Sequence, residues 1–284
     1  MKYNRFIIER KLKEFLEEDC NFKDVTSSII SNDAEISAKI LAKSQGYISG
    51  LEELKILFDL LKISSEFLKS DGDYIKNGEI IVNLKGKVHN LLLGERIGLN
   101  LITHMSAITT LTRKYINIIK DSGKNVRIAC TRKTMPGLRI FDKKAVEVAG
   151  GDTHRFNLDD MILLKDTHLR YYNGNVEKLL NDTKKIASFT KKIEIEIEKV
   201  EDVLIATKNG ADIIMLDNFT PDEVEDAISL LKNKNLRNKV IIEVSGGINE
   251  ENLLDYVIAE PDIISLGLIT QKYAEYIDFS LKFD

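Results

Sequence analysis

Apolar and polar residues follow two different periods along the 284-residue chain. From Arg5 to Glu18, Phe6, Ile7, Leu12, Phe15 and Leu16 recur at helical spacing, which predicts an amphipathic helix that buries this face. The carboxylates from Glu18-Asp19 to Asp24 sit where they can cap neighbouring backbone. Glu35 to Ser44 alternates as a strand does, and Gly46 to Gly50 turns the chain into a helix from Leu51 to Leu61. Asp71-Gly72-Asp73-Tyr74 and Lys76-Asn77-Gly78 are turn signals beside short strands, the second being Ile80 to Leu84. Up to Asn90 the pattern is that of a small α+β unit. Leu91 to Tyr115 is a long helical pattern, expected to bend or break near Thr103 to Ser106, which links this unit to the next.

After Val126 short apolar runs alternate with amphipathic helices. The predicted strands are Val126 to Thr131, Met161 to Lys165, Ile193 to Ile197, Ile213 to Asp217, Val240 to Ser245 and Ile263 to Gly267. Thr220-Pro221-Asp222-Glu223 has the cap, proline and glutamate of a helix start, and Gly210 stops the helix before it. Such alternation implies a parallel sheet, either a barrel or a doubly wound sheet. The strand ends favour a barrel: Arg132-Lys133, Lys165-Asp166, Glu196, Asp217, Ser245-Gly246-Gly247 and Gly267. Barrel active sites are built from residues at these ends.

Composition narrows the class. Hydrophobic residues make up 43% and charged residues 30%, as in a globular protein, and the formal net charge is −4. No apolar run is long enough to span a membrane, and the start of the chain is charged too early for a signal peptide, so a cytoplasmic location is expected. Cys20 and Cys130 are too few for a disulfide framework or a cysteine-based zinc site. With no basic stripe interleaved with aromatics, nucleic acid is not the expected partner.

Against that acidic balance, Cys130 to Lys165 gathers Arg132, Lys133, Arg139, Lys143, Lys144, His154, Arg155 and Lys165. These cations do not share one helical stripe, so a solvated face explains them less well than a site for a small polyanion. Ser245-Gly246-Gly247-Ile248, with Gly267 one strand later, has the pattern of a phosphate cradle. In Ile193 to Glu198 every second residue is glutamate, so Glu194, Glu196 and Glu198 share one face. A sheet that buries Glu194 and Glu196 must bring them cations or a metal. Glu196 and Asp217 are then carboxylates able to bind hydroxyls or Mg2+.

The stretches T-R-K-T-M-P-G-L-R, G-G-D-T-H-R, I-L-L-K-D, I-E-I-E-I-E-K-V-E-D, A-D-I-I-M-L-D-N, E-V-S-G-G-I and I-S-L-G-L-I-T, in this order, resemble the quinolinate phosphoribosyltransferase family. The likeness extends upstream through G-E-R-I-G-L-N and D-V-T and covers nearly the whole chain. It implies an N-terminal α/β sandwich domain plus an incomplete parallel α/β barrel. The expected domains are residues 1–110 with the linking helix, the catalytic barrel at 111–271, and a C-terminal strand at 272–284 returning to the first domain. The implied reaction moves the phosphoribosyl group of phosphoribosyl pyrophosphate to quinolinate with loss of carbon dioxide, giving nicotinate mononucleotide, with Mg2+ accompanying the diphosphate.

Carried over residue by residue, the resemblance implies that Arg132, His154, Arg155 and Lys165 hold the quinolinate carboxylates. Lys133 would lie between acceptor and donor. Glu196 and Asp217 would bind ribose hydroxyls and metal, and Ser245, Gly246, Gly247 and Gly267 the 5-phosphate. Arg96 would come from the partner subunit of a homodimer. Lys133, Lys165, Glu196 and Asp217 are the expected catalytic residues. The chain departs from the family pattern at Asp152, Thr153, Thr167 and Gln271. A molybdenum-transport-associated subgroup shares the scaffold and much of T-R-K-T-x-P-G, and a non-catalytic sensor of phosphorylated metabolites is a further alternative. Arg96 in E-R-x-x-L-N and Ser245-Gly246-Gly247 point toward the quinolinate enzyme.

Overall fold

The computed structural model describes residues 3–271 and 276–284. It divides into two units, Met1–Leu111 with Tyr273–Asp284, and Thr112–Lys272. The expected domain boundary at residue 272 lies outside the described residues.

In the first unit α1 (Arg5–Asp19) begins at Asn4, whose side-chain oxygen accepts from the Phe6 amide at 3.0 Å. It buries Ile8 and Leu12, while Phe6, expected on the buried face, is 80% exposed. A stripe through Ile8, Leu12 and Phe15 keeps the i, i+4, i+7 spacing, and Phe6 falls on the far side of the helix from it. Asp24 accepts from the Thr26 and Ser27 amides at 2.9 and 3.1 Å, the capping role that its position suggests.

The elements that follow are β1 (Glu35–Ala42), β2 (Gly46–Tyr47), α2 (Leu51–Leu60), β3 (Ser64–Phe67), β4 (Tyr74–Ile75), β5 (Ile80–Lys87) and α3 (Val88–Asp121). β3 was not foreseen from the pattern: it is an edge strand held by antiparallel pairing with β5, and Ser64-Ser65-Glu66-Phe67 carries no apolar alternation. α3 runs unbroken through Thr103 to Ser106, contrary to expectation. The Ser106 hydroxyl accepts from the Ser49 amide at 3.0 Å and donates to the Ser49 carbonyl at 3.3 Å. Occupied in this way, it does not compete for the helix backbone.

The second unit contains β6 (Arg127–Cys130), α4 (Arg139–Val148), β7 (Ile162–Leu164), α5 (Asp166–Tyr171), α6 (Val176–Ile186), β8 (Ile193–Ile197), α7 (Val200–Lys208), β9 (Ile213–Asp217), α8 (Pro221–Asn233), β10 (Ile241–Ser245), α9 (Leu253–Ile258), β11 (Ile263–Leu266) and α10 (Leu268–Gln271). The sheet has 6 strands, paired in parallel in the order β6-β11-β10-β9-β8-β7. Beyond β6, Asp152 makes a single parallel bridge to Ala129. With fewer strands than the eight of a full barrel, this is the incomplete α/β barrel expected. Every position of β8, including its glutamates, is buried.

β12 (Phe279–Phe283) belongs to the first unit. It pairs antiparallel with β1, from Ala42 opposite Phe279 to Ala38 opposite Phe283, and completes a 4-stranded sheet of order β12-β1-β5-β3. No described helix is long and apolar enough to cross a membrane. Phe279 is only 5% exposed. Phe279→Ala is expected to cost the first unit about 3–5 kcal/mol, measured as a lowered urea midpoint with little change in slope.

Candidate active site

Strand register assembles the site. In β10, Ser245 lies opposite Asp217 of β9 on one side and Ser265 of β11 on the other. In β8, Glu194 faces Leu163 of β7, and Glu196 faces Met215 of β9. A cavity of about 640 Å³ opens at these strand ends. Arg132, Lys133, His154, Arg155 and Lys165 line one part of it, and Glu196, Asp217, Ser245, Gly246 and Gly247 the rest. An adjoining cavity of about 290 Å³ shares Lys133 and Ser245 to Gly247 and adds Gly267 and Gln271. Arg96, exposed on α3, lines neither cavity.

The charges are arranged unequally. Lys165 Nζ lies 2.6 Å from Glu196 Oε1, and Glu196 is 8% exposed. Burial raises the pKa of Asp217, opposed by nearby Lys165 and by a 2.9 Å hydrogen bond from Asn218. Arg155 is nearly buried, and both its burial and the neighbouring Arg132 lower its pKa. Its guanidinium donates to the Met161 carbonyl at 3.3 Å, whereas the buried Nε of Arg132 has no hydrogen-bond partner. Two like-charged guanidiniums with spare donors are prepared for an anion.

Beneath them lies a group of three. His154 Nε2 is 3.1 Å from Glu243 Oε2 and 3.6 Å from Glu194 Oε2, and both glutamates are fully buried. Buried Glu194 and Glu196 thus receive the cations that the sequence requires, from His154 and Lys165. Burial would lower the His154 pKa, but Glu194 and Glu243 outweigh it and raise it to about 10. Burial also raises Glu194. A pKa of about 10 puts protons on both ring nitrogens, but the Arg155 amide donates to Nδ1 at 2.7 Å, which needs a lone pair there. That contact decides for a proton on Nε2, with the further proton that the group retains resting on the Glu194–Glu243 pair.

Sequence reading had not singled out Glu243. Its signal was a lone glutamate inside the apolar run V-I-I-E-V. Conversely, Arg139, Lys143 and Lys144, grouped with the anion ligands, do not line the cavity. Lys143 is fully buried, donates to the Thr153 carbonyl and lies 5.3 Å from the Phe156 ring centroid. Burial lowers its pKa and raises that of Cys130, 3.6 Å away. Arg139 donates to the Phe156 carbonyl at 3.3 Å. Lys143 and Arg139 therefore hold the turn that carries His154 and Arg155. Asp152, a departure from the family pattern, serves the same turn by accepting from the His154 amide at 2.8 Å.

Cations, carboxylates and paired glycines at the C-terminal strand ends define an α/β barrel built for phosphorylated, anionic ligands. The N-terminal domain of quinolinate phosphoribosyl transferase matches residues 24–106, and the C-terminal domain matches residues 108–282. The chain belongs to the quinolinate phosphoribosyl transferase family. It is 44% identical over 248 residues to a protein of Archaeoglobus fulgidus named probable nicotinate-nucleotide pyrophosphorylase (carboxylating), covering 87% of this chain and 94% of that one. The Rattus norvegicus nicotinate-nucleotide pyrophosphorylase (carboxylating) is 34% identical over 94% of this chain and 88% of its own. The solved nicotinate-nucleotide pyrophosphorylase of Francisella tularensis superposes with a TM-score of 0.90 at 32% identity, covering 100% of this chain and 98% of that one.

Gly246 has φ +100°, and a Cβ there would lie 2.9 Å from the Asn218 backbone nitrogen. Gly246→Ala should therefore distort the cradle at a cost of roughly 1–3 kcal/mol. Ribose 5-phosphate affinity, measured by calorimetry, is expected to fall about tenfold or more.

Proposed function

We infer that this protein catalyses phosphoribosyl transfer from phosphoribosyl pyrophosphate to quinolinate with decarboxylation, giving nicotinate mononucleotide, diphosphate and carbon dioxide for NAD synthesis. The observation that carries this reading is the single cavity that joins Arg132, Arg155 and Lys165 to Glu196, Asp217 and the Ser245 to Gly247 cradle.

Arg132, Arg155 and Lys165 match a planar dicarboxylate with charge-assisted hydrogen bonds, and Lys133 spans acceptor and donor. Ser245, Gly246, Gly247 and Gly267 receive the 5-phosphate through backbone and hydroxyl donors. The pyridine nitrogen attacks the anomeric carbon with its own lone pair, so no general base is needed. As the bond to diphosphate breaks, positive charge develops on the ribose, and Glu196 and Asp217 stabilise it. Lys165, held on Glu196 at 2.6 Å, keeps its ammonium between the carboxylates of the substrate and of the enzyme. After transfer the adjacent carboxylate leaves as carbon dioxide. The electron pair left on the ring carbon is stabilised by the neighbouring positive nitrogen and takes up a proton.

Glu196 and Asp217 offer the hard oxygen donors that suit Mg2+, and one Glu196 oxygen is already taken by Lys165. This fits an ion held chiefly by diphosphate and water, which would neutralise the charge of the leaving group. A cytoplasmic setting suits substrates so highly charged.

The test is incubation of purified protein with phosphoribosyl pyrophosphate, Mg2+ and either quinolinate or nicotinate. Nicotinate mononucleotide is expected from quinolinate alone. Equal use of nicotinate would overturn the dicarboxylate reading, and inactivity with both would favour the transport-associated subgroup.

We further propose a homodimer in which the partner subunit's Arg96 completes each acceptor pocket, as the family resemblance implies. Arg96 is exposed, and a symmetric dimer would supply each copy's residue to the other. If Arg96→Ala and Lys165→Ala are each inactive, refolding them together gives mixed dimers with one doubly damaged and one intact site. Activity is then expected to return to roughly a quarter of wild type with random mixing. No recovery in verified mixed dimers would show that Arg96 does not act across subunits.

A further inference from the structure

We propose that Glu243, acting through His154, is a positioning residue for the acceptor pocket: the pair clamps the Asp152 to Phe156 turn and so aims the Arg155 guanidinium, and His154 makes no bond to the substrate. This rests on the quinolinate reading above, and it departs from the role that family resemblance implies for His154.

The clamp is read from the hydrogen bonds of one residue. His154 has φ +50°, the left-handed region, where a residue with a side chain needs outside support. Its amide donates to Asp152 Oδ1 at 2.8 Å, its Nδ1 accepts from the Arg155 amide at 2.7 Å, and its Nε2 lies 3.1 Å from Glu243 Oε2. With Nδ1 an acceptor, the ring proton sits on Nε2 and is given to Glu243. No ring donor is left for a substrate carboxylate. The next residue, Arg155, is fixed from the other side by its bond to the Met161 carbonyl.

The place of the glutamates in the sheet gives the same answer. Glu243 and Glu194 stand two residues before Ser245 and Glu196 on their strands, so they share the inward face one layer deeper than the substrate cavity. On the other side of this layer is a second cavity of about 310 Å³, lined by strand beginnings such as Ile213, Ile241 and Ile263. His154, Arg155 and Glu243 border both cavities, which makes them the floor of the acceptor pocket.

His154, Glu194 and Glu243 also have the composition of a metal centre, with ligand atoms within 4.8 Å of one another. A metal on Nε2 would need its lone pair and would move the proton to Nδ1, against the Arg155 N–H. The amide contact therefore favours the clamp over a cation.

The test is a double-mutant cycle in the full-length enzyme. Glu243→Met should raise the KM for quinolinate about 10- to 100-fold, as a misaimed ligand group does, and leave the donor KM within about a factor of two. Glu243→Gln retains an oxygen for Nε2–H and should recover most of that loss. In an Arg155→Ala background Glu243→Met should add less than about a factor of two, because its effect runs through Arg155. An equal loss in both backgrounds, or equal damage to both substrates, would overturn the proposal. If Glu243→Met does not fold, His154→Leu replaces it in the cycle: a clamp adds nothing to Arg155→Ala, whereas a direct ligand adds its own loss. Stoichiometric bound metal that disappears in Glu243→Gln would also overturn it. If the wild type makes no nicotinate mononucleotide, the functional reading fails and the clamp is judged separately by ¹⁵N NMR of His154. A bare Nδ1 and protonated Nε2 supports it, and a protonated Nδ1 refutes it.

Discussion

A carboxylate shut inside a parallel barrel must find a cation or give up its charge, and this chain shuts three of them inside. Glu194, Glu196 and Glu243 lie at 0%, 8% and 0% exposure. Leaving any of them ionised and alone would cost several kcal/mol. The compensating groups come from outside β8 and β10: Lys165 follows β7, and His154 sits on the turn between α4 and β7. Anionic interior and cationic rim are therefore two halves of one electrostatic arrangement. The rim cations are fixed in space because the interior requires them, and that fixed geometry is what a dianionic ring can recognise.

The arrangement is layered. Near the opening, Lys165 with Glu196, and Asp217 with Asn218, are partly exposed and serve a ligand that comes and goes. One layer deeper, His154, Glu194 and Glu243 exchange bonds only with protein. Further out, buried Lys143 grips the Thr153 carbonyl from behind. The turn at His154 is thus held from inside and outside the sheet, which makes its left-handed backbone sustainable.

Much of this was legible in the chain because a buried parallel strand is an uninterrupted apolar run with a polar end. Ile193–Ile197 and Ile213–Asp217 match their predicted limits, and the other strands of the second unit differ only at their ends. The cavity residues at those ends could be named for the same reason. Charge alone could not tell a ligand cation from a bracing one, so Lys143 and Arg139 looked like Arg132. The difference lies in burial and in which carbonyl each reaches, and both depend on the packing of α4 against β6. Glu243 was hidden by the opposite effect, one polar residue inside an otherwise ideal strand. In the first unit β3 escaped notice because its place is secured by pairing with β5, and Ser106 looked like a helix breaker until Ser49 engaged its hydroxyl.

The antiparallel sheet of the first unit has a consequence for the order of synthesis. β1 emerges early from the ribosome, but its neighbour β12 is made only after every strand of the second unit. Until then one side of β1 offers unpaired amides and carbonyls to any passing strand, while the parallel sheet, drawn from consecutive segments, can form without waiting. The domain translated first is finished last, and a nascent chain stalled before β12 carries an adhesive edge.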